Sequence, residues 1–130
     1  MKRSFTFVEI MIAVGIIAIL AVIAIPNFLR VIIANNESAT QVTLKKISEA
    51  FETYAADNSG RYPTEEIELT DATPPYLDKS YTGNTFQGYN YTLTLSASGY
   101  NVTATCVQKG TKCSTTSYQI TTGAVLSFTP

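Results

Sequence analysis

The sequence predicts an α+β protein in which one long N-terminal helix lies against a small antiparallel sheet. Three observations predict this fold class. Near its start the chain has twenty uncharged residues, Ile10–Leu29. Apolar side chains then recur at helical spacing, and the second half of the chain alternates with the period of two that is typical of strands. At 130 residues and 45% hydrophobic content, the chain is long enough for this helix and one small domain.

The first half of the predicted helix is hydrophobic on all sides. Ile10–Ile25 contains only apolar residues, and about 20 such residues are needed to cross a bilayer. Met1–Ser4 is a short basic leader, and basic residues on this flank keep their end of the segment in the cytoplasm. We therefore expect residues 5–29 to form a transmembrane helix half and the rest of the chain to lie outside.

Gly15 and Pro26 are two irregularities within this segment. Glycine lacks side-chain packing, and proline removes one backbone donor and strains the preceding turn. A membrane helix tolerates such residues, so one interpretation gives them no function. The other is that they are helix breaks, where the helix is locally weak.

The second half of the helix is predicted to be amphipathic. Lys45, Lys46, Glu49 and Glu52 fall on the surface away from the apolar face. The helix is expected to stop near Asp57-Asn58-Ser59-Gly60. The side chains of the predicted core-facing stripe are Thr40, Leu44, Ile47, Phe51 and Tyr54.

The sheet is predicted from the part of the chain that follows a polar loop at residues 61–85, which has room for a short turn of helix. Tyr89–Ser96 and Gly99–Cys106 alternate with period two and read as a hairpin. Tyr118–Thr122 and Ala124–Phe128 flank Gly123 and predict a second pair. Strand propensity accounts for the tyrosines of this half.

Residues 30–130 are therefore expected to hold the amphipathic helix half and a globular domain. From Val31 onward there are six Lys/Arg against nine Asp/Glu, which gives a net charge of -3 and predicts no nucleic-acid partner. The chain has no histidine, no glycine-rich phosphate loop and no carboxylate pair in the part that would form a pocket, so we expect neither an enzyme nor a cofactor.

Cys106 and Cys113 are the two cysteines of the chain, and both lie in the part expected outside the membrane, where oxidation persists. A reactive pair is one interpretation, but the short intervening segment favours a structural disulfide that staples a turn. Closing so short a loop is worth about 2.5 kcal/mol in the chain-entropy model. Two thiols without histidine do not predict a metal site.

Glu9 is the most informative polar residue, because a charged and unpaired carboxylate at the edge of an apolar span is unfavourable in hydrocarbon. No basic residue lies within a turn or two on its C-terminal side. Either Glu9 reaches the interface or protonates there, or it pairs with a cation from elsewhere.

Arg3-Ser4-Phe5-Thr6-Phe7-Val8-Glu9, followed by the apolar run and Pro26, resembles the class III signal sequence of type IV pilins and pseudopilins. The resemblance implies a pilin-like fold, cleavage by a prepilin peptidase between Ser4 and Phe5, and methylation of the new amine of Phe5. Glu9 would pair with the Phe5 amine of a neighbouring subunit and set the register of assembly; within one helix the two groups are about 6 Å apart along the axis. Ser4 departs from the family, which nearly always has glycine there.

The resemblance also implies a location and partners. The precursor would sit in the inner membrane and then join an extracellular filament of identical subunits, with minor pilins, a platform protein and an assembly ATPase as further partners. A secretion pseudopilin, a minor pilin and a membrane-anchored binding module stay open as alternatives. Major pseudopilins hold calcium with carboxylates in a C-terminal loop, whereas here no Asp or Glu follows Asp78, which favours a pilus subunit.

Overall fold

A computed structural model describes residues 3–130, and Met1 and Lys2, half of the expected leader, lie outside the described residues. A helix and a short second helix precede five strands, which form one antiparallel sheet in the order β1-β2-β3-β4-β5. The elements are α1 Phe7–Asp57, α2 Ile67–Thr70, β1 Thr85–Phe86, β2 Tyr89–Ser96, β3 Gly99–Cys106, β4 Ser117–Thr121 and β5 Val125–Thr129.

Helix α1 runs for 51 residues and confirms the predicted long helix. It begins at Phe7, two residues inside the range 5–29 expected for the apolar half, because Thr6 caps the helix and the chain before it is not helical. The predicted stop is confirmed. At that end the Asn58 and Gly60 N–H groups donate to carbonyls of the last turn, and the positive φ of Gly60 (83°) lets the chain turn away.

The helix is continuous through Gly15 and Pro26 in the described structure. The two residues therefore do not break α1 in a single copy. The interpretation that the helix is locally weak at these positions stays a prediction.

The predicted hairpin of β2 and β3 is confirmed, with Ser96 opposite Gly99 at the turn and Tyr89 opposite Cys106 at the other end. The second pair, β4 and β5, begins and ends within one residue of its predicted bounds. Pairing of Val102 with Ile120 joins the two hairpins into one sheet. The loop expected at residues 61–85 holds the predicted turn of helix as α2 and also part of the unpredicted two-residue strand β1.

The core lies between the amphipathic half of α1 and one face of the sheet. Of the predicted stripe, Thr40, Leu44, Ile47 and Phe51 are buried and Tyr54 is partly buried. The Phe51 ring stacks on the ring of Tyr100 with a centroid distance of 4.5 Å. The tyrosines of the strands are thus core residues as well as strand formers, and those that are buried are Tyr89, Tyr91, Tyr100 and Tyr118. Tyr81, in the loop before β1, is buried with them.

Glu52 was expected on the outer surface, and this expectation is wrong. Its side chain is partly buried and joins the helix to the sheet. The Oε1 atom accepts hydrogen bonds from the Tyr100 hydroxyl and the Gly123 N–H, both at 2.9 Å, and Oε2 accepts one from the Tyr62 hydroxyl at 2.9 Å. The Tyr100 hydroxyl also hydrogen-bonds to Ser48 at 2.7 Å.

The Cys106–Cys113 disulfide is present and closes the loop that follows β3. This loop contacts α1, because the Asn36 side chain donates to the carbonyl of Lys112 at 2.8 Å. Ser114, one residue beyond the disulfide, donates to Glu37. The disulfide-closed loop therefore contacts the helix at Asn36 and Glu37, a short way beyond the end of the apolar half.

Candidate assembly segment

The apolar half of α1 has no partner within the described chain. Its large hydrophobic side chains from Phe7 to Val31 are at least half exposed apart from Leu29, which is intermediate. Within residues 3–130, α1 is the one helix that is long and apolar enough to cross a membrane by length and composition. A surface of this size needs lipid or other apolar chains around it, because apolar area exposed to water is unfavourable.

The helix begins with a capping box formed by Thr6 and Glu9. The Thr6 hydroxyl accepts a hydrogen bond from the Glu9 N–H at 3.2 Å. In return, the backbone N–H and the hydroxyl of Thr6 each donate to Oε2 of Glu9 at 2.8 Å. Each side chain satisfies a backbone donor that the first helical turn leaves without a partner.

This arrangement fixes the Glu9 carboxylate without neutralising it. The Thr6 groups that donate to Glu9 are neutral. Among residues 3–130 no cation lies within 4 Å of the Glu9 carboxylate, and the one ion pair joins Lys46 and Asp78 at 3.1 Å. The positive end of the helix dipole favours a carboxylate in the first turn. Glu9 is therefore held at the tip of the apolar segment with its charge still available to a cation from outside.

Ser4 and Phe5, between which cleavage was predicted, precede the helix cap in non-helical backbone. Both are exposed, and 80% of the Phe5 side chain is accessible. A peptidase requires an extended and accessible bond, so the local structure is compatible with cleavage there. The structure brings Ser4, Phe5 and Glu9 together around Thr6, whereas Gly15, Pro26 and the disulfide lie elsewhere along the molecule.

Sequence reasoning missed the role of Thr6 as the cap. The signal was present, because Thr6-Phe7-Val8-Glu9 has the S/T-x-x-E spacing of a capping box just before an apolar run. It also missed Asn27, whose side-chain amide donates to the Ile23 carbonyl at 3.1 Å, directly after Pro26. This bond gives one N–H of the Asn27 amide a partner within an otherwise apolar surface.

A long helix with a protruding apolar half, a capped acidic tip and a small antiparallel sheet on its other half defines a pilin-like α+β protein. Residues 1–25 match the prokaryotic N-terminal methylation motif. The chain is also similar to the type IV major pilin protein PilA of Myxococcus xanthus (strain DK1622), with 40% identity over 56 residues. The N-terminal segment therefore carries this methylation motif and is similar to the matching part of a type IV major pilin.

The similarity is confined to the N-terminal part. It covers 43% of this chain and 26% of the Myxococcus protein, so the chain spans about a quarter of the length of that curated relative. No solved structure matched the chain. The sheet half is therefore known from its own structure and not from a relative.

Proposed function

We propose that this chain is the structural subunit of a type IV pilus-like extracellular filament. The observation that carries the proposal is the apolar half of α1, whose large hydrophobic side chains are exposed apart from Leu29 and whose first turn holds a fixed carboxylate. In a membrane, lipid covers this surface. In a filament, the same segments of neighbouring copies cover it, so the chain moves from one apolar environment to another.

Processing would occur between Ser4 and Phe5 by a prepilin peptidase, followed by methylation of the Phe5 amine. Cleavage turns a peptide nitrogen into a cation next to the capped turn. Glu9 is then the counter-charge for the amine of a neighbouring copy, since an ion pair in a medium of low dielectric is far stronger than in water. A carboxylate already oriented by Thr6 loses less conformational freedom on pairing.

The proposed partners follow from this route. The precursor sits in the inner membrane, and the finished subunit lies in a surface filament of identical copies. The prepilin peptidase, a platform protein, an assembly ATPase and minor pilins complete the set. The similarity to a type IV major pilin supports this set over a machinery of another kind.

Two alternatives rest on particular observations. Ser4, in place of the usual glycine, favours an uncut and membrane-anchored binding module if it slows the peptidase. A secretion pseudopilin shares the N-terminal design, but the lack of any Asp or Glu after Asp78 disfavours the calcium-holding C-terminal loop of that group.

Mass spectrometry with N-terminal sequencing of protein sheared from the cell surface tests the proposal. The expected product is an abundant chain that starts with N-methylated Phe5. A chain with an intact Met1, found only in the membrane fraction, would contradict processing and support the anchored module. Ser4→Gly is the matched variant, and a higher yield of cut product from it would identify Ser4 as the cause of slow cleavage.

A further inference from the structure

The charges of this chain are distributed unevenly along its sequence. All ten Asp and Glu residues lie between Glu9 and Asp78, and residues 79–130 contain three lysines and no acid. Two of these, Lys109 and Lys112, lie on the disulfide-closed loop and are exposed. The Nζ atom of the third, Lys79, lies 4.4 Å from the ring centroid of Phe86, so this lysine already makes a cation–π contact.

The disulfide-closed loop lies at the end of the sheet that points toward the apolar half of α1. Strand β3 begins next to the part of α1 that holds Ser48 and Glu52, because the Tyr100 hydroxyl hydrogen-bonds to both. The strand ends at Cys106. The loop after it reaches Asn36. Arg30, the first charge after the apolar run, is six residues earlier on α1, which is about 9 Å along the axis.

The uncharged run Ile10–Leu29 is about 30 Å long as a helix and matches the hydrocarbon thickness of a bilayer. In the membrane-held chain, Arg30 then lies at the outer headgroup level, and the loop lies within about one Debye length of it. The acidic helix end at Asp57 is about 30 Å farther out than Asn36. Glu37 is the one acid of α1 between Glu9 and Glu49, and it accepts a hydrogen bond from Ser114.

The loop is also held in one conformation. The Gly110 N–H donates to the Cys113 carbonyl at 2.8 Å, and the Lys112 N–H donates to the Gln108 carbonyl at 3.1 Å. Gly88 packs so closely beneath it that an added Cβ would lie 2.7 Å from the Cβ of Lys112. Lysines on a fixed scaffold lose little backbone entropy on binding an anionic surface.

We propose that Lys109 and Lys112, together with Arg30, bind the phosphate groups of anionic lipids at the outer face of the membrane that holds the chain. This site docks the sheet half onto the bilayer before the chain leaves it. The proposal rests on membrane anchoring of the apolar segment but not on cleavage or filament growth. Each basic residue near an anionic surface strengthens binding about fivefold.

Amine acetylation of the full chain in vesicles tests this site. The rate at each lysine is measured by mass spectrometry in phosphatidylcholine vesicles and in vesicles with 30% phosphatidylglycerol. Lys45, exposed on the packed half of α1, is the internal reference. We expect the rates of Lys109 and Lys112 relative to this reference to be about fivefold lower in the anionic vesicles than in the neutral ones at low salt. The difference should disappear in about 1 M salt, where the Debye length is about 3 Å.

Substitutions separate the site from a general charge effect. Lys109→Gln should weaken docking about fivefold and return Lys112 toward its rate in neutral vesicles, whereas Lys45→Gln should leave Lys112 protected. The proposal is overturned if the rates of Lys109 and Lys112 relative to Lys45 are the same in both kinds of vesicle. It is also overturned if inorganic phosphate protects these lysines equally well in neutral vesicles. The proposal is also overturned if the loop lysines are protected in neutral vesicles, but only when copies of the chain are assembled. The loop would then bind a second copy.

Vesicle flotation separates this proposal from the anchoring on which it depends. A chain that does not float with either vesicle refutes both. A chain that floats while its loop lysines react freely refutes the lipid site alone.

Discussion

Replacing Glu52 should destabilise the sheet half, because this side chain accepts hydrogen bonds from Tyr62, Tyr100 and the backbone N–H of Gly123. The carboxylate is partly buried, so each bond is worth about 1 kcal/mol after allowance for solvent. Glu52→Ala should therefore lower the free energy of unfolding by about 2–3 kcal/mol. For a folded unit of about 100 residues this corresponds to a fall in Tm of roughly 10 °C.

The same side chain predicts a pH dependence. Partial burial raises the pKa of Glu52, but the Gly123 N–H and the Tyr100 and Tyr62 hydroxyls outweigh it and hold the pKa below its ordinary value of 4.5. A carboxyl with a lowered pKa in the folded state stabilises the protein above its unfolded-state pKa, and this contribution is lost as the pH falls through the folded-state value. The Tm difference between wild type and Glu52→Gln should be full near pH 7 and shrink below about pH 4.5.

Thermal unfolding of the full chain in a non-ionic detergent, followed by near-ultraviolet circular dichroism of the tyrosines, measures both effects. Glu49→Ala is the matched control, because Glu49 is an exposed glutamate of the same helix whose carboxylate accepts no hydrogen bond in the described structure. Equal melting temperatures for Glu49→Ala and Glu52→Ala would refute the reasoning. So would a Glu52→Gln protein whose deficit is the same at pH 3 and pH 7.

Three further predictions concern other parts of the molecule. Glu9→Ala should leave membrane insertion intact and reduce filament yield; normal yield in sheared fractions would argue against the ion pair. Cys106→Ser should lower the free energy of unfolding by about 2–3 kcal/mol, and an unchanged melting curve would show that the disulfide adds no stability. Gly88→Ala should cost roughly 1–3 kcal/mol because its φ is +84° and its Cβ would meet Lys112. Gly110→Ala, at φ +78° in open space, is the control. An equal loss of stability in the two variants would show that the close contact with Lys112 has no effect.

The fold was predictable because its elements carry strong local signals. The apolar run and the stripe from Thr40 to Tyr54 specify one helix, and the strict alternation in Tyr89–Ser96 and Gly99–Cys106 specifies a hairpin. Strand β1 was missed because two residues are too few to show a period. The joining of both hairpins into one sheet depends on contacts between β3 and β4, which no local pattern reports.

The candidate site was predictable in part. The resemblance of the N-terminal segment indicated Glu9 and Phe5, while the cap by Thr6 needed only a pattern of four residues. Glu52 was placed on the surface because helical periodicity treats every glutamate as solvated. Its role depends on Gly123, 71 residues farther along the chain, and such a contact is visible only in the folded structure.

Each strand of the sheet pairs with its neighbour in sequence, so the sheet grows by a series of short loop closures. Such a topology has low contact order, and proteins of this kind fold faster than those built from distant pairings. The finished sheet of the described residues still ends in β5, an edge strand of the sequence Val-Leu-Ser-Phe-Thr without a single charge. An unpaired apolar edge of this kind invites pairing with the edge of another chain.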